Sequence, residues 1–175
     1  MDLDTVGEQL LGRVSWVPPG LRLSLPVGWV AAPFEAGSAM LEDECVRFVE
    51  ICRRPGSKQI VCGIFERDDR GELLEGDLDP ASIDTLQRRL AGLYQILADD
   101  QVTLVIVWFS MYDCAIVLGQ KQDCVEFLGT ELDVAVVDFF RGVEVCGERL
   151  AQRLAEAPWD DLTSGGAEKI VEFRL

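Results

Sequence analysis

The chain contains no histidine among its 175 residues. Serine and cysteine nucleophiles usually depend on an imidazole base, and many zinc and haem sites depend on an imidazole ligand. The composition therefore excludes a Ser-His-Asp or Cys-His nucleophile, a histidine-ligated metal and an imidazole acid or base within this chain alone.

Positive charge is also scarce, because 16 lysines and arginines face 31 aspartates and glutamates, for a formal net charge of −15. Nucleic acids and anionic membranes are bound by clustered cations. The composition thus argues against nucleic-acid and membrane partners, and it favours a partner that is itself basic. Solubility alone is the other interpretation of such acidity.

Long hydrophobic runs and leader-like patterns are missing as well. The longest apolar run, residues 104–109, is too short to span a bilayer. The N-terminal residues lack a basic stretch followed by an apolar one, which a secretory signal requires. We therefore expect a cytoplasmic protein.

The cysteines lie in apolar segments, and none forms a C-x-x-C pair. Thiolate metal sites usually space their ligands two to four residues apart. The pattern predicts buried free thiols, with no metal and no cofactor. The six residues are Cys45, Cys52, Cys62, Cys114, Cys124 and Cys146.

With 49% hydrophobic residues, the chain can bury the core of one domain. Pro18-Pro19-Gly20 predicts a break, so we expect an N-terminal segment over residues 1–20 and a single domain over 21–175. Alternating or continuous apolar residues predict the strands. These are residues 21–25, 45–52, 59–65, 102–109, 114–118, 124–128 and 170–175.

Two of these predictions concern how strands pair. Residues 54–57 (Arg-Pro-Gly-Ser) favour a type II turn that would join strands 45–52 and 59–65 into a hairpin. Residues 102–109 are apolar at nearly every position, which is typical of a central strand covered on both faces.

Two helices are predicted beside the sheet. Asp79 and Pro80 favour a helix start, and a leucine-rich stripe with helical spacing extends the helix over residues 80–98. A second helix is predicted from Thr130 to Leu154, with a strand over 134–140 as the alternative, because Gly142 and Gly147 weaken the helix. The predicted fold class is α+β, a mainly antiparallel sheet flanked by two helices in a single domain.

The first predicted strand closes with Leu25-Pro26-Val27-Gly28-Trp29, and a hairpin with an arginine-rich turn and a leucine-striped helix follow. This order of elements over about residues 20–100 resembles the PsbP-like superfamily, whose members often begin with a strand that ends in Pro-x-x-Trp or Pro-x-Gly-Trp. Eag-type secretion chaperones look similar in this respect. The resemblance implies an antiparallel sheet flanked by helices, in a non-enzymatic domain that binds proteins or hydrophobic segments.

Residues 66–79 contain seven acidic residues among fourteen. On a calcium-loop template, Arg70 would occupy a ligand position, so no metal site is predicted here. The segment is interpreted either as a solvated loop before the 80–98 helix or as an acidic patch that meets a protein partner. The candidate partner-binding residues are Glu66, Asp68, Asp69, Glu72, Glu75 and Asp77.

Three classes of function are compatible with these observations. The leading hypothesis is a non-enzymatic protein-binding domain, an immunity protein or a secretion chaperone, with a basic toxin, effector or secreted substrate as its partner. The second is a small enzyme that uses carboxylates or a divalent metal, and the third is a structural subunit of a larger complex. Association of two copies into a homodimer stays open.

We expect the purified protein to contain six reduced thiols and no stoichiometric zinc, because its cysteines lie in apolar segments without metal-ligand spacing. Thiol titration in denaturant and elemental analysis measure both quantities. One metal ion per chain, or a missing pair of thiols, would contradict this expectation.

Overall fold

Six helices and nine strands make up the described part of the chain, which confirms the α+β class and exceeds the two expected helices. The computed structural model describes residues 2–17, 20–37, 39–65, 70–90, 94–109, 113–146, 154 and 156–174. The helices are α1 (Leu3–Arg13), α2 (Glu42–Arg53), α3 (Pro80–Arg89), α4 (Lys121–Leu128), α5 (Leu132–Cys146) and α6 (Trp159–Thr163). The strands are β1 (Val14–Val17), β2 (Gly20–Leu25), β3 (Trp29–Glu35), β4 (Gln59–Phe65), β5 (Arg70–Asp77), β6 (Gln95–Asp99), β7 (Leu104–Phe109), β8 (Cys114–Gln120) and β9 (Lys169–Arg174).

The strands form two antiparallel sheets. The larger sheet has six strands in the order β3-β8-β7-β6-β4-β5, and the smaller one has the order β1-β2-β9. The predicted first and last strands, β2 and β9, lie side by side in the smaller sheet, with Leu23 opposite Val171. Strand β7 lies inside the larger sheet, between β6 and β8, as its apolar sequence predicts.

The larger sheet is covered on both faces. Along β7, Leu104 and Ile106 pack with α2, α3 and α4 on one face. Val105 and Val107 pack on the other face with α1, the smaller sheet, α5 and α6. Because successive side chains of a strand point to opposite faces, one continuous apolar strand contributes to both cores.

Residues 45–52 form the centre of helix α2, so the predicted strand and its hairpin with 59–65 are wrong. The buried side chains of Cys45, Phe48, Val49 and Cys52 recur at intervals of three and four, the spacing of one helix face. Their β-branched and aromatic neighbours favour a strand locally, but burial of this face against the sheet selects the helix. Gly56 has the positive φ (101°) that the predicted turn requires, and this turn connects α2 to β4.

Residues 124–128 are likewise helical, as part of α4, so the strand predicted there is wrong. Cys124 and Phe127 are its buried residues, and their spacing of three suits a helix. Gly129 ends α4 with a φ of 69°, the left-handed conformation common just after a helix.

The helix predicted over 80–98 is correct only in its first half. Helix α3 begins at Pro80, with Asp79 Oδ1 accepting a hydrogen bond from Ser82 N (3.0 Å), as predicted. Residues 91–93 lie outside the described residues, and Gln95–Asp99 form the fully buried strand β6. Gln95 Nε2 donates to the carbonyl oxygen of Leu90 (2.6 Å), so a side chain of β6 satisfies the end of α3.

Residues 132–146 form α5, which confirms the helical prediction after Thr130 and makes the alternative strand at 134–140 wrong. Residues 147–153, into which that prediction extends, lie outside the described residues.

Replacement of Leu90 by Ala is expected to lower the free energy of unfolding by about 2 to 5 kcal/mol, because Leu90 is 1% exposed among α2, α3 and the sheet. Denaturant titration measures the loss. Leu41→Ala, at a leucine that is 61% exposed, is the control and should change stability by less than about 0.5 kcal/mol. Equal losses in the two variants would contradict the prediction.

Candidate functional site

More than half of the predicted acidic segment, residues 70–77, is strand β5, which forms an edge of the larger sheet. Its interpretation as a solvated loop is therefore wrong for residues 70–77. Glu72, Glu75 and Asp77 are exposed on this strand, whereas Glu66, Asp68 and Asp69 lie outside the described residues.

The three described candidates do not share one face of the sheet. Glu75 lies opposite Val61, and Asp77 lies two positions further along, on the face that packs with α1 and the smaller sheet. Glu72 precedes Leu73 and alternates to the face of α2, α3 and α4. Carboxylates therefore lie on both faces of β5, and no strand in the described part of the chain pairs with its outer edge.

Strand β5 is anchored through Leu73. A Cβ at Gly63 of β4 would lie 2.5 Å from Leu73 Cδ2, and one at Gly7 of α1 would lie 2.8 Å from Leu73 Cδ1. Both distances are too short for a side-chain carbon, so two glycines make room for this leucine. The edge strand is thus held to the core while its charged residues stay exposed.

A buried polar cluster surrounds Asp99, the last residue of β6, which is 0% exposed. Its carboxylate accepts hydrogen bonds from Ser57 Oγ (2.5 Å), from Thr103 N (2.7 Å) and Oγ1 (2.9 Å), and from Leu104 N (3.0 Å). A longer bond comes from Gln101 N (3.3 Å). One carboxylate thus accepts hydrogen bonds from three backbone N–H groups between β6 and the start of β7.

The turn that Asp99 organises is strained. Val102 is β-branched, yet its φ is 52°, in the left-handed region. Such a conformation costs about 1 to 3 kcal/mol and persists only where the surroundings enforce it. Here the Val102 N–H donates to the Asp99 carbonyl oxygen (2.9 Å), and the Val102 side chain is buried in the core.

The same cluster includes the thiol of Cys52, which has a structural role and is not a reactive nucleophile. Cys52 lies close enough to Asp99 and Thr103 to exchange hydrogen bonds with them. Burial raises the pKa of the Cys52 thiol, and the negative charge of Asp99 raises this pKa further. A thiolate nucleophile needs the opposite environment. The cluster therefore joins α2 to the β6–β7 turn, and its thiol stays protonated.

The other cysteines with described side chains are also buried and outside any disulfide, as predicted. Burial raises the pKa of Cys45 to about 11 and that of Cys62 to about 12. It also raises the pKa of Cys124. The side chain of Cys146 lies outside the described residues.

A cleft of about 190 Å³ opens between α2, α4 and α5 at the end of β3. Its apolar lining includes Phe34 of β3, Phe127 of α4 and Phe139 of α5. Phe34 and Phe127 pack edge to face, with their ring centroids 5.5 Å apart. The three rings are almost fully buried, so they give the cleft a rigid apolar floor.

Carboxylates and one arginine line the rim of this cleft: Glu35, Glu44, Asp138 and Arg47. Arg47 is already engaged, because its Nε donates to the Phe127 carbonyl oxygen (2.8 Å) and its Nη1 to Asp43 (2.9 Å). Asp138 pairs with Arg141.

Two rim carboxylates are left without a cation of their own in the described part of the chain. Glu44 accepts one hydrogen bond, from Leu41 N (2.8 Å). Burial raises the pKa of Glu44, although that hydrogen bond opposes the shift. Glu35 has no hydrogen bond or ion pair with a described residue, and its carboxylate occupies the space that a Cβ at Gly142 would take.

The amino-acid sequence does not reveal the cleft, because its rim residues come from distant segments and, of Glu35, Glu44 and Asp138, Glu44 alone lies in an acidic run, residues 42–44. One signal was available. Gly142 stands inside α5, where glycine costs about 1 kcal/mol relative to alanine. A side chain at position 142 would clash with the carboxylate of Glu35, which explains the glycine inside this helix.

No group of three or more cysteine, aspartate or glutamate side chains in the described ranges is arranged to hold a metal ion. None of the helices described combines the length and apolar character of a membrane span. Comparison with protein-family models, curated proteins and solved structures finds no match to this chain.

Replacement of Asp99 by Ala is expected to lower the free energy of unfolding by at least about 3 kcal/mol, because several buried donors would lose a charged acceptor. Thermal or denaturant unfolding measures the loss. Asp100→Ala is the control, since Asp100 accepts a single long bond from Lys58 N (3.3 Å) and should cost less than about 1 kcal/mol. A mild effect at Asp99 would show that the turn forms without its carboxylate.

Proposed function

We propose that this protein is a non-enzymatic, acidic protein-binding domain for a basic partner, as an immunity protein or a secretion chaperone would be. The observation that carries the proposal is strand β5, an open sheet edge with exposed carboxylates on both of its faces. The PsbP-like resemblance implies the same class of function.

An open strand edge offers unpaired backbone N–H and C=O groups to an incoming extended segment. The opposite edge, β3, packs with α5 and α6, so β5 is the more accessible edge of the larger sheet. Backbone pairing supplies affinity for any strand, and the flanking side chains decide which strand is accepted.

The side chains of β5 favour a basic segment. Opposite charges placed across neighbouring strands stabilise their pairing, and like charges oppose it. Glu72 would face basic residues on one side of the partner strand, and Glu75 and Asp77 would face them on the other. The same acids disfavour pairing of β5 with a second copy of itself.

The net charge of −15 also favours a basic partner, because it attracts such a partner over longer distances than the contacts at β5 do. Complementary charge raises the rate of encounter, and salt screens it within about 10 Å at 0.1 M. The alternative of a carboxylate enzyme has less support, because the buried carboxylate, Asp99, is occupied by backbone and hydroxyl donors.

The test probe is a peptide as long as β5 (8 residues) in which pairs of lysines alternate with pairs of threonines. Because successive residues of a strand point to opposite faces, this pattern presents lysine on both faces. We expect the peptide to bind, to slow hydrogen exchange at β5 amides and to weaken with added salt. The variant Glu72→Lys/Glu75→Lys/Asp77→Lys should bind at least about tenfold more weakly, because cross-strand attraction becomes repulsion. NMR titration and hydrogen exchange measure both effects.

The matched control is Glu50→Lys/Glu156→Lys/Glu168→Lys, which changes net charge equally at exposed positions away from β5. It should retain most of the affinity at physiological salt. If a glutamate-threonine peptide binds β5 as well as the basic one, or if both triple variants lose affinity equally, the β5 site is wrong.

A further inference from the structure

We propose that the cleft between α2, α4 and α5 is a binding site for one arginine side chain of a protein partner. This inference rests on the proposed function in taking that partner to be basic. The site itself is separate from β5 and stands on its own geometry.

The size of the cleft fits one long side chain. Its 190 Å³ is below the roughly 300 Å³ at which pockets for organic ligands usually begin. A water molecule takes about 30 Å³, so the cleft holds about six waters, close to the number of heavy atoms in an arginine side chain. One arginine side chain that projects from the surface of a partner protein would therefore fill the cleft.

The chemistry of the lining changes from floor to rim. Phe34, Phe127 and Phe139 form an apolar floor that suits the methylene groups of an arginine. Glu35 and Glu44 provide carboxylates at the rim. A side chain with an alkyl stem and a cationic end would contact the apolar floor and the acidic rim at the same time.

The charged residues at the rim of the cleft favour the binding of a cation. Arg47 and Arg141 are each paired with a carboxylate, Asp43 and Asp138. Among the described residues, no ion pair reaches Glu35 or Glu44. Glu35 is exposed, Glu44 is half-buried, and the positive charge of Arg47 already offsets part of the charge of Glu44. Because three carboxylates and one guanidinium line the rim, a further guanidinium there would reduce its net negative charge.

Arginine fits this cleft better than lysine does. A guanidinium is planar and weakly hydrated, so it can lie against aromatic rings and donate to two carboxylates at once. An ammonium group is a compact, strongly hydrated charge, which favours open water over an apolar floor.

The walls of the cleft are held in place before any partner binds. Arg54, the residue after α2, pairs with Glu126 (2.9 Å) and Asp123 (3.6 Å) of α4, and Arg47 of α2 donates to the carbonyl oxygen of Phe127. A preformed site loses little conformational freedom on binding.

The two proposed sites lie at opposite edges of the larger sheet. The cleft adjoins β3 and the acidic strand is β5, so about five strand spacings of roughly 4.8 Å separate them. Each site can therefore be tested without the other.

N-acetyl-arginine amide is the probe for the cleft, titrated into the isotopically labelled full chain at about 0.15 M salt, where the Debye length is about 8 Å. We expect saturable chemical-shift changes at cleft residues such as Phe127, Ala135 and Phe139. N-acetyl-citrulline amide has the same shape without the charge and should bind about tenfold more weakly. N-acetyl-lysine amide should also bind more weakly.

The double variant Glu35→Gln/Glu44→Gln should reduce arginine binding about tenfold or more. Glutamine preserves the size of each side chain and the acceptor for Leu41 N, and unfolding curves check that the variant folds. The matched control is Glu50→Gln/Glu156→Gln, at exposed glutamates outside the cleft, which should bind the probe like the parent chain.

Three results would overturn the arginine site: no saturable shifts at the cleft, equal binding of citrulline and arginine, or unchanged binding in the Glu35→Gln/Glu44→Gln variant. Equal binding of lysine would overturn the preference for arginine. None of these results alters the peptide experiment on β5, so failure of the cleft and failure of the proposed function are distinguishable.

Discussion

The architecture depends on one constraint, which is that the central strands of the larger sheet are apolar on both faces. Every residue of β6 and β7, and all of β8 except Gln120, is buried. A sheet of this kind needs a layer on each side. Helices α2, α3 and α4 cover one face, and the smaller sheet with α1, α5 and α6 covers the other.

Because the centre of the sheet is so apolar, each polar group inside it must have partners. Asp99 and Gln95 lie at the two ends of β6. Asp99 meets this requirement through its carboxylate, whereas Gln95 meets it only through Nε2, because its buried Oε1 has no hydrogen-bond partner among the described residues. Asp99 accepts hydrogen bonds from the β6–β7 turn, and Gln95 donates to the end of α3. A buried carboxylate thus holds the turn after β6, and a buried amide bonds the end of α3.

Full coverage of the sheet faces leaves its edges and the seams between helices as the surfaces where this protein can meet another. The edge at β5 is open and lined by acids, and the seam between α2, α4 and α5 opens into a cleft with a phenylalanine floor. Both surfaces present negative charge to solvent, in keeping with the net charge of the chain. The basic partner proposed above would be able to engage either surface alone, since the two lie at opposite edges of the larger sheet.

The amino-acid sequence by itself determined the α+β class, the central place of β7, the start of α3 at Asp79 and Pro80, and the helix α5, because these follow from local periodicity and capping. It also placed an acidic segment at Glu72, Glu75 and Asp77. Only the tertiary structure decided that residues 45–52 and 124–128 are helices, that Gln95 begins a strand, and that Glu35 and Glu44 line the same cleft. Short apolar segments satisfy both helical and strand spacing, so the surface available to bury them makes the choice. Residues far apart in the chain meet only once that choice has been made.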